Sequence, residues 1–350
     1  MRHPIIQQDI KENILASNLP WNKLAGKTVL VSGANGFLPA YIVETLLCLN
    51  EHTYEKPTKV IGLVRNKKKA LDRFSTYHKN KDLIIIVQDV CLPIFVDEKI
   101  DYIIHAASQA SPIYYGKDPV GTLSANVIGN YNLLNLAKDH AVESFLFFSS
   151  GEVYGEVQSS QIPTKESDYG YVDPTNVRSC YAESKRMGET MCVSWFHQYG
   201  VPTKIVRPFH TYGPGMSLGD GRVYADFIAD ILNNRDIIMK SDGSAIRAFC
   251  YLSDAVQGFL TVLLKGESGQ AYNVGNDRGE VSISDLANRL VSLFPEKGLK
   301  VVRQELNHQL GYLRSNISRN CPDISKIRGL GWEPTTSIEE GFKRTIRSFL

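Results

Sequence analysis

The chain has 350 residues, 43% hydrophobic and 22% charged, ordinary proportions for a folded protein with two domains or one large domain carrying an insertion. The 39 Lys and Arg nearly balance the 37 Asp and Glu, and a net charge of +2 gives no footprint for nucleic acid. No apolar run approaches the roughly 20 residues of a membrane span, the N-terminus has no signal-peptide core, and the six scattered cysteines form no CxxC pair, so reduced thiols, no metal site and a cytoplasmic location are expected.

Residues 1–25 read as a polar lead-in ending at Pro20-Trp21, packed on the outside of the first domain. Lys27–Ser32 is a short β-branched strand stopped by Gly33, followed by a helical stretch over Pro39–Leu49. Further strands are expected at Lys59–Val64, at Leu83–Val87 (leading into Asp89), at Tyr102–His105 (leading into Ala106-Ala107-Ser108) and at Ser144–Phe148. Val120–Ala137 repeats its apolar residues at helical spacing. Strands alternating with helices predict a parallel sheet covered on both faces. Beyond residue 206 the pattern loosens into Gly- and Pro-containing loops such as Val206–Pro214 and Ser241–Arg247, while Arg247–Asp254 and Ala271–Gly275 read as returns to the first domain. The expected division is therefore 26–206 plus about 250–275, against a discontinuous smaller domain of 207–249 and 276–350.

Gly33-Ala34-Asn35-Gly36 lies between a predicted strand and a predicted helix. Gly33 permits a tight turn and Gly36 lets backbone approach a pyrophosphate at the helix N-terminus. The third position of such a loop is Pro39, which suits a first helical turn. Alone, this loop also suits an ordinary strand–helix turn. After the second strand stands Arg65, which could meet a 2′-phosphate or lie in solvent beside Lys67–Lys69; Asp89 is either an adenine contact or a turn residue.

Tyr181-Ala182-Glu183-Ser184-Lys185 carries the strongest chemical signal, downstream of a strand ending in Ser149-Ser150. Four residues apart, Tyr181 and Lys185 share a helical face, where a lysine cation would lower the phenol's pKa from about 10 toward neutrality. Such a tyrosine exchanges a proton with a sugar hydroxyl while hydride moves to nicotinamide, and Ser150 orients that hydroxyl.

With these motifs in order, the chain resembles an extended short-chain dehydrogenase/reductase of the nucleotide-sugar type. Within that group it is most similar to UDP-glucuronate decarboxylases. The similarity runs from about residue 26 to the C-terminus through HAASQASPIYYGKDPVGTL (105–123), SSGEVYG (149–155), YAESK (181–185), RPFHTYGPG (207–215), DGRV (220–223), SDGSAIRAFCYLSD (241–254), NVGN (273–276) and PDISKIRGLGWEP (322–334). The resemblance implies a Rossmann-type doubly wound α/β sheet with a smaller discontinuous C-terminal substrate domain. It also implies NAD as cofactor, or NADP on account of Arg65, and a sugar-nucleotide substrate. Carried over by position, Tyr181 is the base, Lys185 its partner, Ser150 the hydroxyl group beside the substrate and Glu152 the motif glutamate. The implied cofactor residues are Gly33, Asn35, Gly36, Phe37, Leu38, Arg65, Asp89, Val90, Ala106 and Ala107, together with Tyr181 and Lys185. Ser111, Tyr114, Glu152, His210, Arg222 and Arg247 are the implied substrate residues. Relatives pair the helices matching Val120–Ala137 and Tyr181–Gln198 into a homodimeric four-helix bundle.

Several positions depart from that pattern. The triplet Ser150-Gly151-Glu152 lacks the aspartic acid with which a dehydratase protonates its leaving hydroxyl. His210 replaces an asparagine, and Gly215 an arginine. The leading expectation is a decarboxylase-like enzyme with internally recycled NAD. Its rivals are a 4-ketoreductase or C4-epimerase, favoured by Gly151 and Arg65, and a non-catalytic NAD(P)-binding protein, against which the intact Ser150, Tyr181 and Lys185 argue.

Overall fold

A computed structural model describes residues 3–52, 56–304 and 317–350. The first six strands are β1 (Thr28–Ser32), β2 (Lys59–Val64), β3 (Leu83–Val87), β4 (Tyr102–His105), β5 (Ser144–Phe148) and β6 (Thr203–Pro208). The chain then forms β7 (His210–Tyr212), β8 (Ile237–Met239) and β9 (Ile246–Tyr251), returns as β10 (Gln270–Val274), and ends with β11 (Glu280–Ser282), β12 (Val301–Arg303) and β13 (Arg319–Asn320).

The large sheet is parallel throughout, in the order β3-β2-β1-β4-β5-β6-β10. Its central strands are apolar runs because both faces are covered. Helices Phe37–His52 and Leu252–Lys265 bury one face, with Tyr41, Leu46, Val256 and Phe259 in a common core. Helices Pro119–Asp139 and Cys180–Tyr199 bury the other, with Leu133, Leu134 and Cys192. Strand order reverses between β1 and β4, and their carboxyl ends open a crevice there, where ligands of doubly wound sheets bind.

The smaller unit is built on β9, which pairs with β7, β11 and β13, and on the two-stranded β8–β12 sheet. Stacked rings of Tyr212 and Phe342, 3.9 Å apart, lie at its core beside Phe249 and Tyr251. Two segments that read as loops are ordered: Val206–Pro208 completes β6, and His210–Tyr212 becomes β7 against β9. Pairing with strands distant in sequence creates these elements, which local residue patterns do not announce. The chain rejoins the large sheet's core with the helix starting at Leu252, after β9 has served the smaller one.

The N-terminal lead-in is a helix over Pro4–Gln8 continued as a π-helix over Asp9–Ile14. Ile6, Ile10 and Ile14, spaced by four, bury one face of it in the core of the large sheet. Asp9 is fully buried and accepts hydrogen bonds from Tyr41 (2.7 Å), Tyr251 (2.8 Å) and the Arg344 guanidinium (2.6 and 3.1 Å). One carboxylate thus joins the glycine-loop helix, β9 and the C-terminal helix Ile338–Arg347. Among the described residues, no helix is long and apolar enough to cross a membrane, and all six cysteines are free thiols.

Candidate active site

A continuous cleft of about 1880 Å3 runs over the carboxyl ends of the large sheet and onto the smaller unit. That exceeds the roughly 300–1,000 Å3 of a site for one small ligand. That volume leaves room for more than one small ligand.

At one end lies the glycine loop. Gly33 has φ +67°, and a Cβ there would come within 2.8 Å of the Ala107 backbone, so only glycine lets this turn close on the segment after β4. The amide of Gly36 donates to the Gly33 carbonyl at 2.8 Å, and the helix starts at Phe37. Pro39 therefore sits in the first turn, where its missing N–H breaks no helical bond. Asn35, Phe37 and Leu38 line the same stretch of cleft. The Ser32 hydroxyl accepts from the amides of Ala106 and Ala107, both at 3.1 Å, locking the ends of β1 and β4 together. Arg65 and Asp89 face each other 3.9 Å apart at the exposed rim, next to Val90. The Ser108 hydroxyl is buried on the cleft wall without a protein partner among the described residues. A glycine turn at a helix N-terminus, an acidic–basic pair at the rim and an unsatisfied hydroxyl suit a dinucleotide's phosphates, ribose and polar edges.

The tyrosine–lysine pair lines the same cleft. Tyr181 and Lys185 enter the site from the helix Cys180–Tyr199, and Ser150 and Glu152 from the turn after β5. Lys185 Nζ donates to the Phe148 carbonyl at 2.6 Å, lies 5.0 Å over the Phe147 ring and stands 5.6 Å from the centre of the Tyr181 ring. Burial pushes Lys185 down to about 7, and pushes the Tyr181 phenol up to about 12, with a hydrogen bond to Ser150 pulling it back. Both directions have one cause, since burial disfavours the charged form of either side chain, the ammonium of Lys185 and the phenolate of Tyr181.

Gly151 packs against Phe209, whose ring would sit 3.3 Å from any Cβ there. Beyond it, Ser111 donates to the Asp220 carbonyl at 2.5 Å, and Arg222 binds the Asp220 carboxylate and the Ala110 carbonyl. Both expected substrate residues thus converge on Asp220. Tyr114 stands half exposed at the rim. Arg247 donates to the carbonyls of Ile246, Ile317 and Ser318 while lining the cleft. His210 lies against Phe249, its Nδ1 buried and without a partner among the described residues. Burial, then Arg247 and Arg222, push it down to about 3, so the imidazole is neutral.

Sequence reading missed four residues. Tyr115 stacks on Tyr181 at 5.0 Å, and Arg178 lies over Tyr115 and pairs with Glu152 at 3.3 Å. Below the site, buried Arg207 forks onto Glu189 (2.8 and 2.6 Å), and Glu189 accepts from the Ser149 hydroxyl. Glu189 follows Lys185 by one helical turn, and that spacing was its available signal.

Residues 29–275 match the sequence profile of the NAD dependent epimerase/dehydratase family. This chain belongs to that family. UDP-glucuronic acid decarboxylase 6 of Arabidopsis thaliana is 35% identical over 315 residues, covering 89% of this chain and 86% of its own. UDP-glucuronic acid decarboxylase 1 of Xenopus tropicalis is 35% identical over 324 residues, covering 92% and 72%. In fold, a Bacillus cereus UDP-glucuronic acid 4-epimerase crystallised with UDP-glucuronic acid and NAD superposes with a TM-score of 0.77 at 22% identity, over 92% of this chain and 98% of that one. Family membership makes NAD the dinucleotide that the glycine-loop end of the cleft suits.

Proposed function

We propose that this chain is an NAD-dependent nucleotide-sugar lyase acting on a nucleoside-diphosphate hexuronate, which it oxidises at C4 and decarboxylates. The observation that carries this reading is the convergence of Ser150, Glu152, Tyr181 and Lys185 on one stretch of cleft, in a chain 35% identical to UDP-glucuronic acid decarboxylases. NAD supplies the hydride acceptor and, after decarboxylation, the donor. Gly33, Gly36 and the helix N-terminus at Phe37 hold its phosphates, and Arg65 and Asp89 meet its adenosine end. The Arg65–Asp89 pairing favours an unphosphorylated ribose, since a 2′-phosphate would have to displace the carboxylate.

Ser150 orients the sugar C4 hydroxyl, and Tyr181 takes its proton as C4 becomes a ketone. A carboxylate on C6 is then β to that ketone. The C5–C6 bond breaks, its electron pair passes into the C4 carbonyl as an enolate, and carbon dioxide leaves. Protonation at C5 restores the ketone, and Tyr181 returns its proton to the C4 oxygen on reduction. Gly151 supplies no acid for expelling a hydroxyl, and Phe209 fills the adjoining space. The same absence keeps a 4-ketoreductase or C4-epimerase as the second reading, because those reactions need only hydride and proton transfer.

The helices Pro119–Asp139 and Cys180–Tyr199 leave Val120, Ile128, Tyr131, Met187, Val193 and Tyr199 exposed, and a second copy would cover them as a four-helix bundle. Free thiols fit a reducing cytoplasm, and a pentose product would serve polysaccharide synthesis.

Incubation of the purified chain with UDP-glucuronate, with and without added NAD+, tests the reading by mass spectrometry. A UDP-pentose or its 4-keto form supports it; unchanged substrate overturns it for this nucleotide. Oxidation of NADPH by 4-keto-6-deoxy sugar nucleotides would establish the reductase instead.

A further inference from the structure

The end of β5 meets the helix Cys180–Tyr199 at three successive turns. Ser150 bonds Tyr181, the Phe148 carbonyl accepts from Lys185 at 2.6 Å, and the Ser149 hydroxyl donates to Glu189 at 2.5 Å. Positions 181, 185 and 189 are four residues apart and share one helical face. Two of these contacts hold the reactive pair. The third ends in an ion pair, where Arg207, on β6 and 2% exposed, forks onto Glu189 at 2.8 and 2.6 Å. Ser149 is held from its other side too, its amide donating to the Val206 carbonyl at 2.8 Å and carrying the β5–β6 pairing one residue past Phe148. Ser150 then caps the one-turn helix Gly151–Tyr154, which bears Glu152. Arg207 reaches the far end of that turn as well, donating to the Tyr154 hydroxyl at 2.8 Å, and Tyr154 donates to Asn273 at 2.6 Å.

We propose that the Arg207–Glu189 pair is a positioning clamp for the reaction, holding through Ser149 and Tyr154 both ends of the turn that presents Ser150 and Glu152 to the sugar. This rests on the functional reading above, in which Ser150 orients the C4 hydroxyl. A buried ion pair contributes little net stability once its desolvation is counted, and its best-attested use is to fix one arrangement. Here the arrangement fixed is the distance of the Ser150 hydroxyl from Tyr181 and of the Phe148 carbonyl from Lys185. The groups facing Lys185 are Tyr181, Glu189 and Cys192 on its own helix and His105 on β4, while the helix Pro119–Asp139 brings uncharged Asn126 and Asn130 to this face. Burial keeps the His105 imidazole and the Cys192 thiol neutral. The Phe148 carbonyl, the Phe147 ring and the Glu189 carboxylate therefore favour the Lys185 ammonium against burial, and Ser149 is what holds that carbonyl beside Glu189.

The test compares Ser149→Ala, Ser149→Thr and Tyr154→Phe with the wild-type chain. On UDP-glucuronate with NAD+, Ser149→Ala and Tyr154→Phe are each expected to lower kcat about 10- to 100-fold with KM within about twofold, since the reacting groups are misaligned and not lost. Ser149→Thr keeps the hydroxyl and is expected to stay within about threefold of the wild type. Denaturant unfolding across pH gives a readout without turnover. Lys185 is pushed down to about 7 in the folded chain, so the unfolded chain binds more protons above that value and stability rises with pH from there. Ser149→Ala loosens the carbonyl that holds the ammonium, so the rise is expected to begin about one pH unit lower. Tyr154→Phe is expected to leave that onset in place, as is Ser149→Ala in a Lys185→Met background. Wild-type kcat in Ser149→Ala or Tyr154→Phe, a change confined to KM, failure of Ser149→Thr to restore kcat, or an unmoved onset in Ser149→Ala would each overturn the clamp. If the wild-type chain leaves UDP-glucuronate unchanged, the functional reading fails, and the pH onset alone then decides the clamp.

Discussion

Gly188 offers the sharpest test of how packing positions the reactive pair. It lies on the face of the Cys180–Tyr199 helix that carries Tyr181 and Lys185, seven and three residues earlier, and this face rests on β5. A Cβ at Gly188 would meet Phe147 Cζ at 2.3 Å and Cε1 at 2.8 Å. Ordinary carbon contacts lie near 3.5–4.0 Å, so Gly188→Ala must move the helix or the ring by about 1 Å. The ring has little freedom, because Phe147 is fully buried between His105 and the Lys185 ammonium. Such overpacking costs about 1–3 kcal/mol. A displacement of about 1 Å at the reactive groups costs on the order of 100-fold in rate. Thermal unfolding and kcat/KM would be measured on the variant beside Gly200→Ala. Gly200 caps the same helix at φ +71° with nothing within 4 Å, so its substitution should cost about 1–2 kcal/mol in stability and leave turnover intact. Wild-type stability and turnover in Gly188→Ala would refute the argument. Full turnover with lost stability would show that the helix repacks without shifting Tyr181.

Three further outcomes follow from the same geometry. Tyr181→Phe should lower turnover by about 10²–10⁴-fold while calorimetry still detects NAD binding, since only the proton-transfer group is removed. Burial pushes Lys185 down to about 7 and Lys204 to about 8, so the unfolded chain binds more protons above those values. Stability should therefore rise with pH from about 7, and in Lys185→Met the rise should begin nearer 8, as denaturant unfolding across that window would show. Asp9→Ala should destabilise the chain by about 3–5 kcal/mol, because Arg344 loses its buried partner and Tyr41 and Tyr251 lose their acceptor. An unchanged denaturant midpoint would show that the N-terminal segment does not tie the two units together.

Short-range features were legible in the amino-acid order. The β-branched run before Gly33, the helical spacing of Tyr181 and Lys185 and the alternation of strands with helices each depend on residues a few positions apart. They sufficed for the parallel sheet, the glycine turn and the shared helical face of Tyr181 and Lys185. Other features depend on contacts between distant residues, which local periodicity does not encode. β7 exists because it pairs with β9, and the polar-looking Asp9 is buried because Tyr41, Tyr251 and Arg344 converge on it. Ser111 meets the Asp220 carbonyl across 109 residues, and Arg178 becomes part of the site only when its turn is laid beside Glu152 and Tyr115. The burial of Lys185 was likewise a tertiary matter: its spacing puts it on one helical face with Tyr181, and how deeply the ammonium is desolvated is decided by packing between helix and sheet.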